Sequence, residues 1–243
     1  MCTVSYLPLK GGGYILTSNR DEAPRRNAIE IRRIVSGNQS LLFPLDPHAG
    51  GSWFCVSDHG KAACLLNGAH IPFASDPRYS HSRGKVLLDI LQYTSIANFQ
   101  ANYDLSSTAP FTLILAVEGR LHELIWDGSL FTERHVDPTQ PAFWSSVTLY
   151  PEDVRIWRKA LFEQWLSANP DFDQIEIMQF HRYGSSDDNW NGFVMNRGER
   201  VKTLSISSVQ RLSSSFVFRH TDLISGEALY ETLDVIHANV AEA

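Results

Sequence analysis

The sequence predicts an α+β fold, with antiparallel sheets covered by helices on their outer faces. Two observations carry this. β-rich runs joined by short turns open and close the chain, and the clearest helical stripes lie between them. No internal repeat, low-complexity tract or linker divides residues 1–243, so one domain is expected.

Residues 3–9 and 14–18 are short apolar runs joined across Lys10-Gly11-Gly12-Gly13, which reads as a hairpin. It brings Asn19, Arg20 and Asp21 back beside Cys2. A second hairpin is expected over residues 52–67, turning at Asp58-His59-Gly60-Lys61. With His59-Gly60 as a two-residue loop, Cys55 faces Cys64 at about 4.5–5.5 Å between Cα atoms, a span that a disulfide bridges. Two reduced, packed thiols are the commoner outcome in a cytosolic protein. Residues 82–94 carry a helical stripe of Val86, Leu87, Ile90 and Leu91. Strands follow at 111–117 and 121–126, turning at Glu118-Gly119-Arg120. The clearest helix has Pro151 in its first turn, then Glu152 and Asp153. Its apolar face is Val154, Trp157, Leu161, Phe162, Trp165 and Leu166, and Asn169-Pro170 ends it. A further helix is expected over 173–180, strands over 193–195, 201–208 and 214–219, and a short last helix from Glu227.

The 43% hydrophobic and 20% charged residues are those of a soluble globular chain, and the net charge of −6 argues against a general nucleic-acid or anionic-membrane binder. Neither a basic region nor an apolar core opens the chain, so no secretory signal is expected. The longest clean apolar stretch, 113–117, is far short of the ~20 residues of a membrane helix. Three cysteines make no disulfide framework. A cytoplasmic location follows as the default.

Cys2 is the sharpest chemical hint. Removal of Met1 before so small a residue would join a thiol and an α-amine on one residue. The amine, with a reference pKa of about 7.7–8.0, can take the thiol's proton. Arg20 would favour the thiolate, Asp21 would hold the ammonium group or orient the arginine, and Asn19 and Asn67 are neutral donors for an oxyanion. A polar turn ending a strand is an equally good reading of Asn19 to Glu22. Arg20, Arg25, Arg26, Arg32 and Arg33 form either a pocket edge for an anionic ligand or a solvated loop. His48, His59, His70 and His81 fall eleven apart, but the glycines and prolines among them rule out one long helix. With no Cys-x-x-Cys or His-Glu-x-x-His pattern, no metal-ion or nucleotide cofactor is expected. A single histidine can still serve as an axial haem ligand.

Met1-Cys2-Thr3, Ser18-Asn19-Arg20-Asp21-Glu22, Gly50-Gly51-Ser52-Trp53 and Gly60-Lys61-Ala62-Ala63 together resemble the NRDE family, the transport-and-Golgi-organisation proteins. Ser82-Arg83-Gly84 and residues 146–162 fit more loosely. The resemblance implies an N-terminal-nucleophile hydrolase-like fold, a four-layer αββα sandwich of two antiparallel sheets. It implies haem binding and trafficking, with haem as cargo passed to or from other proteins. The pocket would lie around Cys2 and Asn19 to Glu22, with Arg25, Arg26 and Trp53 as ligand contacts. More distantly it implies an amidohydrolase in which Cys2 attacks, Arg20 and Asp21 hold thiolate and amine, and Asn67 serves the oxyanion. Binding of acyl-coenzyme A through the arginines is a third implication. Amidases of that type use a further asparagine where this chain has Trp144-Ser145-Ser146.

Overall fold

The computed structural model describes residues 3–27, 30–73, 78–185 and 187–236. Cys2 lies outside them. Among the described residues the chain opens with six strands: β1 (Thr3–Pro8), β2 (Tyr14–Glu22), β3 (Ile31–Ser36), β4 (Gln39–Pro44), β5 (Phe54–Ser57) and β6 (Ala62–Asn67). Helices α1 (Arg83–Ile90) and α2 (Ile96–Asn102) follow. Next come β7 (Phe111–Val117), β8 (Arg120–Trp126), β9 (Phe131–Val136) and β10 (Ala142–Ser145). Helices α3 (Glu152–Ala168) and α4 (Gln174–Tyr183) precede β11 (Lys202–Arg211), β12 (Ser215–Asp222) and β13 (Ala228–Asp234).

The strands form two antiparallel sheets, ordered β10-β1-β2-β11-β12-β13 and β3-β4-β5-β6-β7-β8-β9. Strand alternation gives each sheet two faces, and both are apolar. Val4, Leu16, Val209, Phe216 and Phe218 of the first sheet meet Leu42, Phe54, Val56, Cys64 and Ile114 of the second. On the outer side of the first sheet, Leu7 and Ile15 pack against Phe162, Ile177 and Phe180 of α3 and α4. On the outer side of the second, Cys55, Leu65 and Leu113 pack against Val86, Leu87 and Phe99 of α1 and α2. The result is an αββα sandwich, the expected fold class. Full burial of each valine, leucine, isoleucine or phenylalanine among them contributes about 1.5–3 kcal/mol.

Local chemistry places the turns. Gly11, Gly12 and Gly13 all have positive φ (93°, 100° and 83°), which returns the chain so that Thr3 lies opposite Asn19. Glu118 and Gly119, at φ 51° and 72°, make the two-residue turn that sets Val117 opposite Arg120. Asp173 caps α4 by accepting from the Ile175 and Glu176 N–H groups, and Glu176 returns a bond to its backbone.

Four expectations are corrected. The β5–β6 turn has three residues, because Ser57 N–H donates to Lys61 C=O, so Cys55 faces Ala63 and Cys64 faces Phe54. One step of register turns the two thiols onto opposite faces of the sheet, one in each core layer, and both are free. Residues from Glu227 form no helix; Ala228–Asp234 pairs with β12 as an edge strand. Residues 193–195 are not a strand, since side chains take their backbone bonds: Phe193 N–H donates to Ser185 Oγ, and Met195 N–H to Thr203 Oγ1. The helix expected over 82–94 stops at Ile90, and a separate α2 opens with the Ser95 hydroxyl accepting from Asn98 N–H.

Candidate active-site cleft

Strand β2 continues to Glu22, so period-two alternation divides the Asn19 to Glu22 segment between two faces. Asn19 and Asp21 face the α3/α4 layer. Arg20 and Glu22 face a cleft of about 730 Å³ on the other side.

Every polar atom of the Asn19 side chain is used. Its Nδ2 donates to the carbonyls of His181 (3.0 Å) and Phe193 (2.8 Å). Oδ1 must therefore accept from His181 Nδ1–H, which leaves His181 Nε2 to accept from Ser5 Oγ at 2.7 Å. Burial, with Arg158 nearby, pushes the imidazole down to about 3, so it is neutral. Ser5, His181 and Asn19 have the order of nucleophile, base and orienting group, yet all three are at most 1% exposed. This set is a structural core. Asp21 accepts from Thr203 Oγ1 (2.5 Å) and Tyr150 OH (3.1 Å). A bulge in β11 between Thr203 and Ser205 turns Thr203 onto Asp21's face.

Arg158 of α3 joins this layer to the start of β1. It is fully buried and donates to Thr3 Oγ1, to Ser145 Oγ (3.2 Å) and to the carbonyls of Asn191 and Gly192 (each 2.6 Å). Its guanidinium lies 4.1 Å from the Tyr150 ring centroid and 4.7 Å from that of Phe193.

On the cleft side, Arg20 lies 3.9 Å above the Trp53 ring and donates to Asp46 Oδ2 at 3.0 Å. Arg26 also donates to Asp46 Oδ2, and reaches Glu22 at 2.7 Å. Asp46 Oδ1 accepts from the N–H groups of His48 (3.0 Å) and Ala49 (3.2 Å). Burial raises the Asp46 pKa, but Arg20, Arg26 and those two backbone donors outweigh it, so the net shift is downward. Burial lowers Arg20 to about 10, against the pull of Asp46 and Glu22, and it remains charged at neutral pH. Arg20 is thus an immobile cation aimed into the cleft.

The cleft wall explains two of the sequence motifs. Ser52 N–H donates to Gly84 C=O at 3.1 Å, and the backbones of Gly51 and Gly84 touch. A Cβ on Gly84 would lie 2.8 Å from the Ser52 carbonyl oxygen, and one on Gly51 would lie 2.5 Å from the Gly84 carbonyl carbon. We expect Gly84→Ala to lower stability by about 1–3 kcal/mol in urea unfolding. Ser82→Ala should stay within about 0.5 kcal/mol, because the Ser82 hydroxyl makes no capping bond.

Asn67 ends β6 between this cleft and a second one of about 680 Å³. Its carbonyl accepts from Ser146 Oγ (2.7 Å) and Thr148 Oγ1 (3.2 Å), while its side-chain amide makes no hydrogen bond among the described residues. Ser145 and Ser146, standing where the amidase pattern has asparagine, are engaged by Arg158 and Asn67. Of the sequence candidates, Arg20, Glu22, Arg26, Trp53 and Asn67 share the first cleft. Asn19, Asp21 and Arg25 do not line it; Arg25 is exposed, and its carbonyl accepts from His48 Nε2 (2.9 Å). Arg32 and Arg33 sit on the edge strand β3, paired with Glu30 and Glu231. Sequence reasoning missed Asp46, Arg158 and His181. An Asp ahead of Pro-His-Ala-Gly is a side-chain-capped turn signal that could have found the first.

Burial pushes the Cys64 thiol up to about 12 and the Cys55 thiol well above its ordinary value, so neither is a nucleophile at neutral pH. Among the described residues no helix is long and apolar enough to cross a membrane.

Solved structures share this fold at low identity. An arginine-to-leucine variant of conjugated bile acid hydrolase from Clostridium perfringens aligns over 99% of this chain and 100% of its own, with a TM-score of 0.62 and 11% identity. A cysteine-to-alanine mutant of the same enzyme aligns over 98% and 97%, with a TM-score of 0.58 and 10% identity. The Caenorhabditis elegans ortholog of N-acylethanolamine-hydrolyzing acid amidase aligns over 85% and 92%, with a TM-score of 0.56 and 11% identity. These likenesses place the chain among N-terminal-nucleophile hydrolase-like folds. No curated protein matches it in sequence. The family model for Transport and Golgi organisation 2 (TANGO2) matches residues 1–217, and the chain belongs to that family.

Proposed function

We propose that the cleft beside Arg20 is the substrate pocket of a thiol-dependent amidohydrolase with Cys2 as nucleophile. The buried, ion-paired Arg20 guanidinium facing the cleft carries this reading. It gives a fixed positive charge for a thiolate, and the Asn67 amide on the same cleft gives an oxyanion donor. Thr3, the residue that follows Cys2, is held by Arg158, which donates to its hydroxyl. Of the three cysteines, Cys55 and Cys64 are sealed in the core, which leaves Cys2 for chemistry.

In this reading the α-amine takes the thiol proton, and Asp21 holds the resulting ammonium. The sulfur attacks the amide carbon, and the oxyanion falls to Asn67. The C–N bond breaks as the ammonium protonates the leaving amine. Water then cleaves the thioester, releasing the acid and restoring the thiol. The neighbours named as hydrolases of conjugated bile acids and N-acylethanolamines support amides as the substrate class.

The test is release of amine from a panel of N-acyl amides, with intact mass reporting Met1 removal and any acyl adduct. Cys2→Ser should lower kcat by at least about 10³-fold. Met1 retained on protein from its native host, or activity indifferent to Cys2→Ser, would overturn the mechanism.

A second reading is haem handling, favoured by the cleft's rim. Arg83 and Lys85 offer cations to carboxylates such as haem propionates, and Phe73, Tyr79 and Trp53 offer aromatic walls. The same cations would suit the phosphates of an acyl-coenzyme A. Iron ligation is harder to accommodate: His81 Nε2 is bonded to Tyr103 OH (2.7 Å) and His48 Nε2 to the Arg25 carbonyl. Haem titration supports this reading if a Soret shift saturates near one equivalent and weakens in Lys85→Ala.

A further inference from the structure

On the outer face of the second sheet, away from the cleft, three metal-binding side chains meet across β8 and β9. His122 lies directly opposite His135, and Glu133 lies two residues before His135 on the same face. Glu133 Oε1 is 2.7 Å from His122 Nδ1 and 3.6 Å from His135 Nε2, and the three ligand atoms all lie within 4.8 Å of one another. From this geometry we infer that His122, Glu133 and His135 form a binding site for a divalent transition-metal ion of the zinc class.

Two imidazoles and one carboxylate are a zinc-type donor set, with Zn–N near 2.0–2.1 Å and Zn–O near 2.0–2.2 Å. Tetrahedral placement at those lengths sets donors roughly 3.3 Å apart. The closest pair must open by about half an ångström and the widest must close by about 1.5 Å. His135, with 72% of its side chain exposed, can make that movement without disturbing the core. His122, only 5% exposed, is the fixed anchor. The exposed side leaves a fourth position for water. Soft or borderline ions are selected over calcium or magnesium, which take oxygen ligands. The charges nearby point the same way. The groove beside the trio also holds Lys61, Arg120 and Glu118, and Lys61 is tied to the carbonyls of Leu91 (2.9 Å) and Tyr93 (2.7 Å). A hard dication with only Glu133 as direct counter-charge would be poorly held, whereas imidazole nitrogens bind zinc or cobalt mainly through the metal–nitrogen bond. The spacing of thirteen positions from His122 to His135 matches no metal motif in the sequence, because the site is assembled by strand pairing.

The test is titration of the full chain with Zn²⁺ by calorimetry and with Co²⁺ by visible absorption, in the wild type, His135→Ala and Glu133→Gln. His135 is exposed, so its variant should fold even if a His122 variant does not. The expected result is one equivalent bound, an intense four-coordinate cobalt spectrum, and affinity at least tenfold lower in each variant. Zinc should also raise the thermal midpoint of the wild type and leave that of His135→Ala unchanged. The inference is overturned by the absence of saturable binding, or by binding that is unchanged in His135→Ala. A sulfur-to-cobalt charge-transfer band that persists in His135→Ala would also overturn it, by placing the ion on a thiol.

Discussion

Replacing Arg158 by methionine is expected to lower the unfolding free energy by about 3–5 kcal/mol, a large fraction of the roughly 5–15 kcal/mol of an ordinary domain. Thr3 Oγ1, Ser145 Oγ and the carbonyls of Asn191 and Gly192 would all lose their donor. Each polar group left unpaired in a buried site costs about 1–3 kcal/mol. The relief of burying no charge and the apolar bulk of methionine offset part of this sum. Arg158→Lys should recover less than half of the loss. A lysine has three donors on one atom, cannot span four acceptors, and cannot lie flat between Tyr150 and Phe193. Urea midpoints of the two variants at neutral pH check this; a lysine variant as stable as the wild type would show that charge alone, not the fork of donors, is what the site needs. The substitution also reaches the proposed chemistry, because Thr3 immediately follows Cys2. Arg158→Lys should therefore reduce kcat more than KM if the strand's first residues must be held still.

The parts legible in the sequence were those coded by neighbours in the chain. Three consecutive glycines marked the β1–β2 hairpin, the Pro151 start and apolar stripe marked α3, and Glu118-Gly119-Arg120 marked the β7–β8 turn, although Arg120 already pairs with Val117 as the first residue of β8. Alternation within Asn19 to Glu22 was equally available, and it separates Arg20 from Asn19 and Asp21 once β2 is known to continue. The Cys55–Cys64 relation turned on one residue of loop length, which decides the register and which no composition argument fixes. The remaining contacts join positions far apart. Asp21 meets Thr203, Asn19 meets His181 and Thr3 meets Arg158, and each pair is more than a hundred and fifty residues apart in sequence. Each of these side chains, read locally, is an ordinary polar residue on a strand or helix. Only the stacking of α3 and α4 on the first sheet makes them one network.

That network should make stability depend on acid. His181 is neutral in the folded protein with a pKa held near about 3 by burial, against about 6.5 in the unfolded chain. Between those values the unfolded state binds the extra proton, so stability rises with pH across the window. The contribution is fully present above about pH 6.5 and is lost as pH falls toward 3, at up to 1.36 kcal/mol per pH unit, or about 2 kcal/mol by pH 5. His181→Gln should flatten this part of the profile while lowering stability at pH 7. Asn19→Leu makes a different prediction. It strips Nδ1–H of His181 and the carbonyl of residue 181 of their partners and leaves the carbonyl of residue 193 only the long bond from Thr203 Oγ1 (3.3 Å), so it should cost about 3–4 kcal/mol at pH 7. The imidazole stays buried in that variant, so the acid slope should persist. Unfolding free energies at pH 5, 6 and 7 for the wild type and both variants decide the matter. A slope that is the same in His181→Gln as in the wild type would place the acid sensitivity elsewhere. A slope that vanishes in Asn19→Leu would mean that the asparagine, and not burial, keeps His181 neutral.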